Sequence, residues 1–323
     1  MDRRKLFTNV VQGGAFLTAS ALAREAAAER DASKAPSQTI TILDLDRCDG
    51  CANQNIPSCV AACRKHNVGR YPEPVKPLQP YWPQKSFEDF SEQRERIDRL
   101  TPYNWIYVQR VEVEGRTVFA PRRCMHCFDA PCRKLCPFGA IDKTLEGATR
   151  INERVCFGGA KCRDVCPWGI PQRQAGVGIY LQAAPKLAGG GVMYKCDGCA
   201  DRPSGEKPAC VAACPRNAMH FGTYDEMVMK LEEISQGRFV YGRKENGGTA
   251  TWYVSSIAFE KIEQTLAAER GLKPRQGEPG FASVASQLDQ SKMLAGVTLA
   301  APVVAIGGAL MLRKRRSGKG DQT

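Results

Sequence analysis

The fifteen cysteines of this 323-residue chain fall into four short groups of similar layout, with none left over. The first group is Cys48, Cys51, Cys59 and Cys63, spaced C-x2-C-x7-C-x3-C. The second is Cys124, Cys127, Cys132 and Cys136, spaced C-x2-C-x4-C-x3-C and followed by Pro137. Cys156, Cys162 and Cys166 form the third, followed by Pro167. The fourth is Cys196, Cys199, Cys210 and Cys214, spaced C-x2-C-x10-C-x3-C and followed by Pro215. An odd number of thiols cannot all pair as internal disulfides, and repeated short clusters fit metal ligation better than scattered cross-links.

Two kinds of metal site use C-x2-C. Zinc sites join it to a second C-x2-C or to a pair of histidines. Here every group ends in C-x3-C, and the chain has three histidines in all. Iron–sulfur chemistry explains the pattern better. A cubane presents its irons at tetrahedral corners, so a short loop with three thiolates can wrap one face while its N–H groups point at the sulfides. The next cysteine, three residues on, starts a helical turn and faces a neighbouring cluster. The following proline has a fixed φ and no N–H. Cys136-Pro137-Phe138-Gly139-Ala140-Ile141 is close to the bacterial ferredoxin wording C-P-x-G-A-I.

The third group is one ligand short. Aligned on C-x2-C-x2-C-x3-C-P, its register is intact, but Gly159 stands where the second cysteine belongs. An iron at that corner would be held by sulfides alone and easily lost. The expected cofactors are therefore three [4Fe-4S] clusters and one [3Fe-4S] cluster, about 15 irons in all. The alternative is four [4Fe-4S] clusters, with water or Asp164 filling the vacant corner.

The formal charge of +12 raises nucleic acid as a partner. Part of it lies in the terminal segments, and thiolate-bound clusters add about −2 each, roughly −8 over four. No basic stripe is visible, so no nucleic-acid partner is expected. At the start, Arg3-Arg4 precede a modestly apolar run from Val10 to Leu22, and Ala21-Leu22-Ala23 offers an A-x-A cleavage site. Residues 1–23 thus resemble a twin-arginine export signal, with Leu6 where Phe is usual. Residues 24–37 read as a linker. Met293 to Leu312 is free of charge and long enough, at about 1.5 Å per residue, to cross a bilayer as a helix. Arg313-Lys314-Arg315-Arg316 follows, which predicts a cytoplasmic basic tail over 313–323. The expected location is the periplasmic face of a bacterial cytoplasmic membrane, with a single span and the C-terminus inside.

Between these ends, residues 38–290 read as one cysteine-bearing domain. Residues 38–45 alternate like a strand feeding the first group. The Pro-rich stretch 71–101 and the Gly/Ala-rich stretch 171–195 read as insertions. Trp105 to Val113 and Thr117 to Ala120 predict a hairpin turned at Glu114-Gly115. Glu226 to Ile234 predicts a helix. Phe239 to Ser255 predicts a second hairpin, turned at Asn246-Gly247-Gly248. The fold class is α+β: tandem bacterial-ferredoxin-like modules with insertions, plus one C-terminal transmembrane helix.

The four groups, HFGTYDEM after the fourth, and GRKENGGTATWYV resemble the four-cluster iron–sulfur subunits of membrane-bound respiratory complexes. The layout is similar to the electron-transfer subunits of hydrogenase-2 type enzymes and the beta subunits of formate dehydrogenase-N type enzymes. Two departures are the seven residues between Cys51 and Cys59, where those families have two, and Gly159, where they have cysteine. The resemblance implies that outer groups pair with outer and inner with inner. One cluster then takes Cys48, Cys51, Cys59 and Cys214, and its neighbour Cys196, Cys199, Cys210 and Cys63. A third takes Cys124, Cys127, Cys132 and Cys166, and the deficient one Cys156, Cys162 and Cys136. It also implies a relay between a catalytic oxidoreductase subunit (a hydrogenase, a formate dehydrogenase or another molybdenum enzyme) and an integral membrane quinone-reactive or cytochrome subunit.

No catalytic constellation is apparent. His126, inside the second group, is expected to pack beside a cluster. His66 and His220 have no evident carboxylate partner. Trp168 and Phe138, each following a Cys-Pro pair, are expected to be cluster-shielding core. No nucleotide loop is present. The expectation is a non-catalytic redox subunit; a zinc-stabilised, membrane-anchored interaction module and a carrier to a multihaem cytochrome are the competing classes.

Overall fold

The computed structural model describes residues 38–79, 87–183, 190–270 and 276–286. The signal, the linker, the apolar run 293–312 and the basic tail lie outside the described residues. Among those described, no helix is long and apolar enough to cross a membrane.

Strand β1 (Thr39–Asp44) is the centre of the larger sheet, and five of its six residues are buried. It pairs antiparallel with β8 (Met219–Thr223) and parallel with β10 (Thr251–Ser255), while β9 (Phe239–Tyr241) closes the order β8-β1-β10-β9. The parallel neighbour explains why β1 and β10 are buried almost throughout rather than alternating. Helix α6 (Tyr224–Ile234) packs Met227 and Leu231 against Ile40, Ile42, Trp252 and Val254. Its start is set by a capping box, with Thr223 Oγ1 accepting from Glu226 N–H and Glu226 Oε2 accepting from Thr223 N–H. The second predicted hairpin is present, but its strands are joined by residues 242–250 rather than a tight turn, with Asn246 and Gly247 both at positive φ.

The first predicted hairpin is β2 (Tyr107–Val113) and β3 (Arg116–Arg122), paired from Tyr107–Arg122 to Val113–Arg116. Glu114 and Gly115 have φ of 51° and 76°, the double left-handed geometry of a type I′ turn. Helix α7 (Phe259–Arg270) lies against β2. Two small ribbons complete the inner half: β4 (Ile141–Lys143) with β5 (Thr149–Ile151), and β6 (Gln172–Gln174) with β7 (Val192–Tyr194). The short helix α4 (Tyr180–Ala183) lies between β6 and β7 in the chain. This second ribbon corrects the expectation that 171–195 is insertion alone. Gln172, Arg173 and Gln174 are buried, and Arg173 donates to Glu88 at 2.6 Å, so the segment is structural.

The four cysteine groups do not form separate bodies. One apolar core runs through Cys59, Cys63, Cys124, Cys156, Cys162, Cys196 and Cys210. Arg70, just beyond helix α1 (Ser58–Asn67), reinforces the union by pairing with Glu153 at 2.7 Å and Asp197 at 2.5 Å while lying over the Trp105 ring.

Candidate iron–sulfur sites

Strand register explains which cysteines meet. Leu43 faces Met219 across β1 and β8; Cys48 lies five residues after the former and Cys214 five before the latter. The same offsets recur in the inner half, where Ile151 faces Ile141, Cys156 lies five residues after, and Cys136 five before. Each ribbon thus brings the first cysteine of one group to the last cysteine of another. The short helices α5 (Ala209–Ala212) against α1, and α2 (Pro131–Lys134) against α3 (Lys161–Asp164), bring in the remaining thiols.

Four sites result. Site 1 is a small cavity lined by Cys48, Cys51, Cys59 and Cys214. Site 2 joins Cys63 to Cys196, Cys199 and Cys210, whose thiols face one another. Site 3 is a small cavity lined by Cys124, Cys127, Cys132 and Cys166. Site 4 is lined by Cys136, Cys156 and Cys162, with Gly159 at its rim. The cysteines lining sites 1, 3 and 4 are ones that the resemblance groups together. Cys59 faces Cys210, Cys196 faces Cys124, and Cys162 faces Cys132 and Cys166, so each site adjoins the next from 1 to 4.

All fifteen cysteines are free thiols. Burial, then the charge of neighbouring thiols, pushes most of them up: Cys48, Cys132 and Cys196 to about 11, Cys166 and Cys199 to about 12. Such a set needs cationic metal to hold it deprotonated. Hydrogen-bond donors already aim at the sulfurs. His126 N–H points at Cys124 Sγ, Gly158 N–H at Cys156 Sγ and Ala218 N–H at Cys214 Sγ, each at 3.4 Å. Asn246 Nδ2 donates to Cys127 Sγ at 3.4 Å, and Asn67 Nδ2 reaches Cys63 Sγ at 3.6 Å. Among the described residues no three His, Cys, Asp or Glu side chains converge to hold a single ion. A zinc site would need its sulfurs within about 4 Å of one another. Thiols spread around cavities, with N–H groups directed at them, fit cubane-sized cofactors.

Site 4 differs from the others. Gly159 is exposed and has no positive φ, and a Cβ built on it would meet nothing within 4 Å. Its neighbour Gly158, at φ 63°, is sterically constrained: a Cβ there would lie 2.3 Å from Gly191 O. Asp164 is exposed on α3 and does not line the cavity.

The histidines and aromatics divide. His126 is buried beside the cysteines as expected. Its Nδ1 accepts from Thr149 N–H at 3.0 Å, which leaves the Nε2 proton facing Cys196 Sγ at 3.6 Å. His66 has a carboxylate partner after all, Asp201 at 2.8 Å, supplied from a position 135 residues away that local sequence could not reveal. His220 Nε2 is buried without a hydrogen-bond partner among the described residues. Trp168 is buried and donates to Tyr241 Oη at 2.7 Å. Phe138 is not core: it is 48% exposed and stacks on Phe157 with centroids 4.7 Å apart. Two further residues near the thiols, Arg123 and Lys195, escape a reading of the sequence alone. Their one signal is the basic residue directly before the first cysteine of groups two and four.

Two family models, each described as a 4Fe-4S dicluster domain, match residues 47–140 and 116–224. Among curated proteins, the chain is 40% identical over 113 residues to the B subunit of the anaerobic dimethyl sulfoxide reductase of Escherichia coli K12, covering 35% of this chain and 49% of that subunit. It is 32% identical over 192 residues to YnfG, a probable anaerobic dimethyl sulfoxide reductase chain of the same strain, covering 58% and 75%. It is 24% identical over 305 residues to the hydrogenase-2 operon protein HybA of Escherichia coli O157:H7, covering 81% and 83%. The chain spans about half to two thirds of the length of several curated relatives it matches.

Proposed function

This chain belongs to the iron–sulfur electron-transfer subunits built on 4Fe-4S dicluster domains, and on that premise we propose that it relays single electrons through four clusters within a respiratory oxidoreductase complex. The observation that carries the reading is the sorting of fifteen free cysteines into four contiguous sets inside one core. Clusters bound there supply one-electron exchange at little structural cost. The protein's part is to hold and insulate them. Cysteines from paired groups grip each cluster, backbone and Asn N–H groups donate to the thiolates, and Trp168, Met125 and Pro167 exclude water from site 3.

At site 4 the reading is a [3Fe-4S] cluster held by Cys136, Cys156 and Cys162. It is supported by the absence of a thiolate at Gly159 and by Asp164, exposed on α3, not being among the residues that line the cavity. A fourth iron there would face solvent without a protein ligand.

The proposed partners are a catalytic oxidoreductase subunit and a membrane quinone-reactive or cytochrome subunit. The names of the dimethyl sulfoxide reductase and hydrogenase-2 relatives support them. The proposed location is the periplasmic face of the membrane, supported by Arg3-Arg4 and by the apolar run 293–312 with its basic flank. Anaerobic purification with iron and acid-labile sulfide analysis tests the central claim. The expected yield is about 15 irons and about 16 sulfides per chain. Negligible sulfide, or stoichiometric zinc, refutes it. Electron paramagnetic resonance of the oxidised protein tests site 4, where a [3Fe-4S] signal is expected.

A further inference from the structure

Two buried cations lie between the middle sites of the row. Arg123 and Lys195 are 3% and 5% exposed, and neither has a carboxylate within ion-pair range among the described residues. Of the other basic side chains near the sites, Arg173 is paired with Glu88, Arg216 with Asp49 at the surface of site 1, Lys161 is exposed at site 4, and Lys143, near Cys127 and Cys124 of site 3, is only half-buried. A buried cation without a carboxylate needs another anion nearby, because desolvating an uncompensated charge is strongly unfavourable. The anions at hand are cysteine thiolates.

The arrangement is crossed. Lys195 immediately precedes Cys196 of site 2, yet its side chain lines the cavity of site 3, where Nζ is anchored on Thr149 O and on Cys196 O. Arg123 immediately precedes Cys124 of site 3, yet its charge faces Cys210, Cys196 and Cys199 of site 2. His126 spans the same gap, with its N–H on Cys124 Sγ and its ring Nε2 proton toward Cys196 Sγ. Each middle site thus lends a cationic side chain to the other. Sites 1 and 4 have no buried cation among the residues lining their cavities.

We propose that Arg123 and Lys195 are potential-setting residues that raise the reduction potentials of the two middle clusters relative to the outer two, with His126 bridging the pair. The argument is electrostatic. The middle sites have an anionic cluster on each side, which disfavours adding an electron; a fixed buried cation favours the more negative, reduced form. The crossed placement lets each charge act on the cluster beyond its own loop. This inference rests on the four-cluster reading above, whose failure would show separately, as missing sulfide in the unaltered protein.

The test is a mediated redox titration of the full chain with its clusters in place, followed by electron paramagnetic resonance, on the unaltered protein and on Lys195→Met, Lys195→Arg and His126→Phe. In Lys195→Met the two middle midpoints are expected to fall, site 3 most, while the outer two stay, with iron content unchanged. Lys195→Arg restores them. His126→Phe keeps a ring of similar size but removes the donor, and lowers the midpoint of site 2. Unchanged midpoints at full iron content overturn the proposal, as does an equal shift at all four sites. So does loss of a cluster in every variant, including Lys195→Arg, which would make the role purely structural.

Discussion

Sites 3 and 4 carry nearly the same words in sequence and sit in opposite surroundings. Cys166-Pro167-Trp168 lines the first and Cys136-Pro137-Phe138 the second, each followed by a glycine, Gly169 and Gly139, at matching φ of 58° and 59°. Trp168 is sealed from water, because Tyr241 takes its indole N–H and passes the hydrogen bond to Ala282 O at 2.8 Å. Phe281 lies edge-on to the Tyr241 ring, centroids 5.2 Å apart, and completes the cover. Phe138 has no such cover and shares a half-exposed stack with Phe157. Local sequence builds the cluster-binding turn, and remote segments decide whether that turn ends up inside or at the surface. The turn left with an exposed aromatic belongs to the site that is short of a thiolate.

The contrast can be broken or sharpened by substitution. The largest effect is expected from Cys162→Ser, which leaves site 4 with two thiolates and should release about three irons per chain. Cys166→Ser leaves site 3 with three thiolates, the number site 4 has, and should release about one. Iron and sulfide analysis after anaerobic desalting measures both, and equal losses would erase the distinction between the sites. Gly159→Cys should raise iron by about one per chain and abolish the [3Fe-4S] signal, because the added side chain meets no neighbour. An unchanged signal in that variant would mean that the loop does not deliver a thiolate to the cluster.

Stability should follow the cover. Trp168→Ala is expected to cost about 3–5 kcal/mol in chemical denaturation of the cluster-loaded protein. Tyr241→Phe strips Trp168 of its acceptor and leaves the ring in place. It should cost about 1–3 kcal/mol if the vacated hydrogen bonds stay dry and less if water enters. The smallest effect is expected from Phe138→Ala, at the equivalent but exposed place, which should cost about 1 kcal/mol, the worth of an aromatic stack. A loss there as large as that of Trp168→Ala would show that Phe138 is enclosed.

Much of the site is legible in the sequence because ligand spacing is a local property. Cysteine runs, the Cys-Pro steps and the gap at Gly159 all lie within short stretches of chain. Glu114-Gly115 is also a short-range signal and turns its hairpin where local pattern puts it, whereas helix α6 begins two residues before the expected Glu226, at the start set by the Thr223–Glu226 capping box. The expectation for Phe138 fails because a large apolar residue beside a cysteine looks like core when nothing local says which segment will cover it. That for His66 fails because Asp201 is contributed by the far side of the fold. Stretch 171–195 reads as filler because its buried residues include Gln172, Arg173, Gln174 and Lys195, polar side chains whose partners Glu88, Asp89 and Thr149 come from elsewhere.

The order of cysteines along the chain determined that the cofactors are iron–sulfur clusters and that the thiols fall into four groups, because thiolate spacing within a turn is set by bond lengths and backbone angles. Tertiary structure alone decided how the sites stand toward one another. The crossing of Arg123 and Lys195, the cover over Trp168 and the openness at Gly159 arise where segments scores of residues apart are pressed together by burial. Charge and solvent exposure are properties of that assembled surrounding, and no single stretch of sequence contains them.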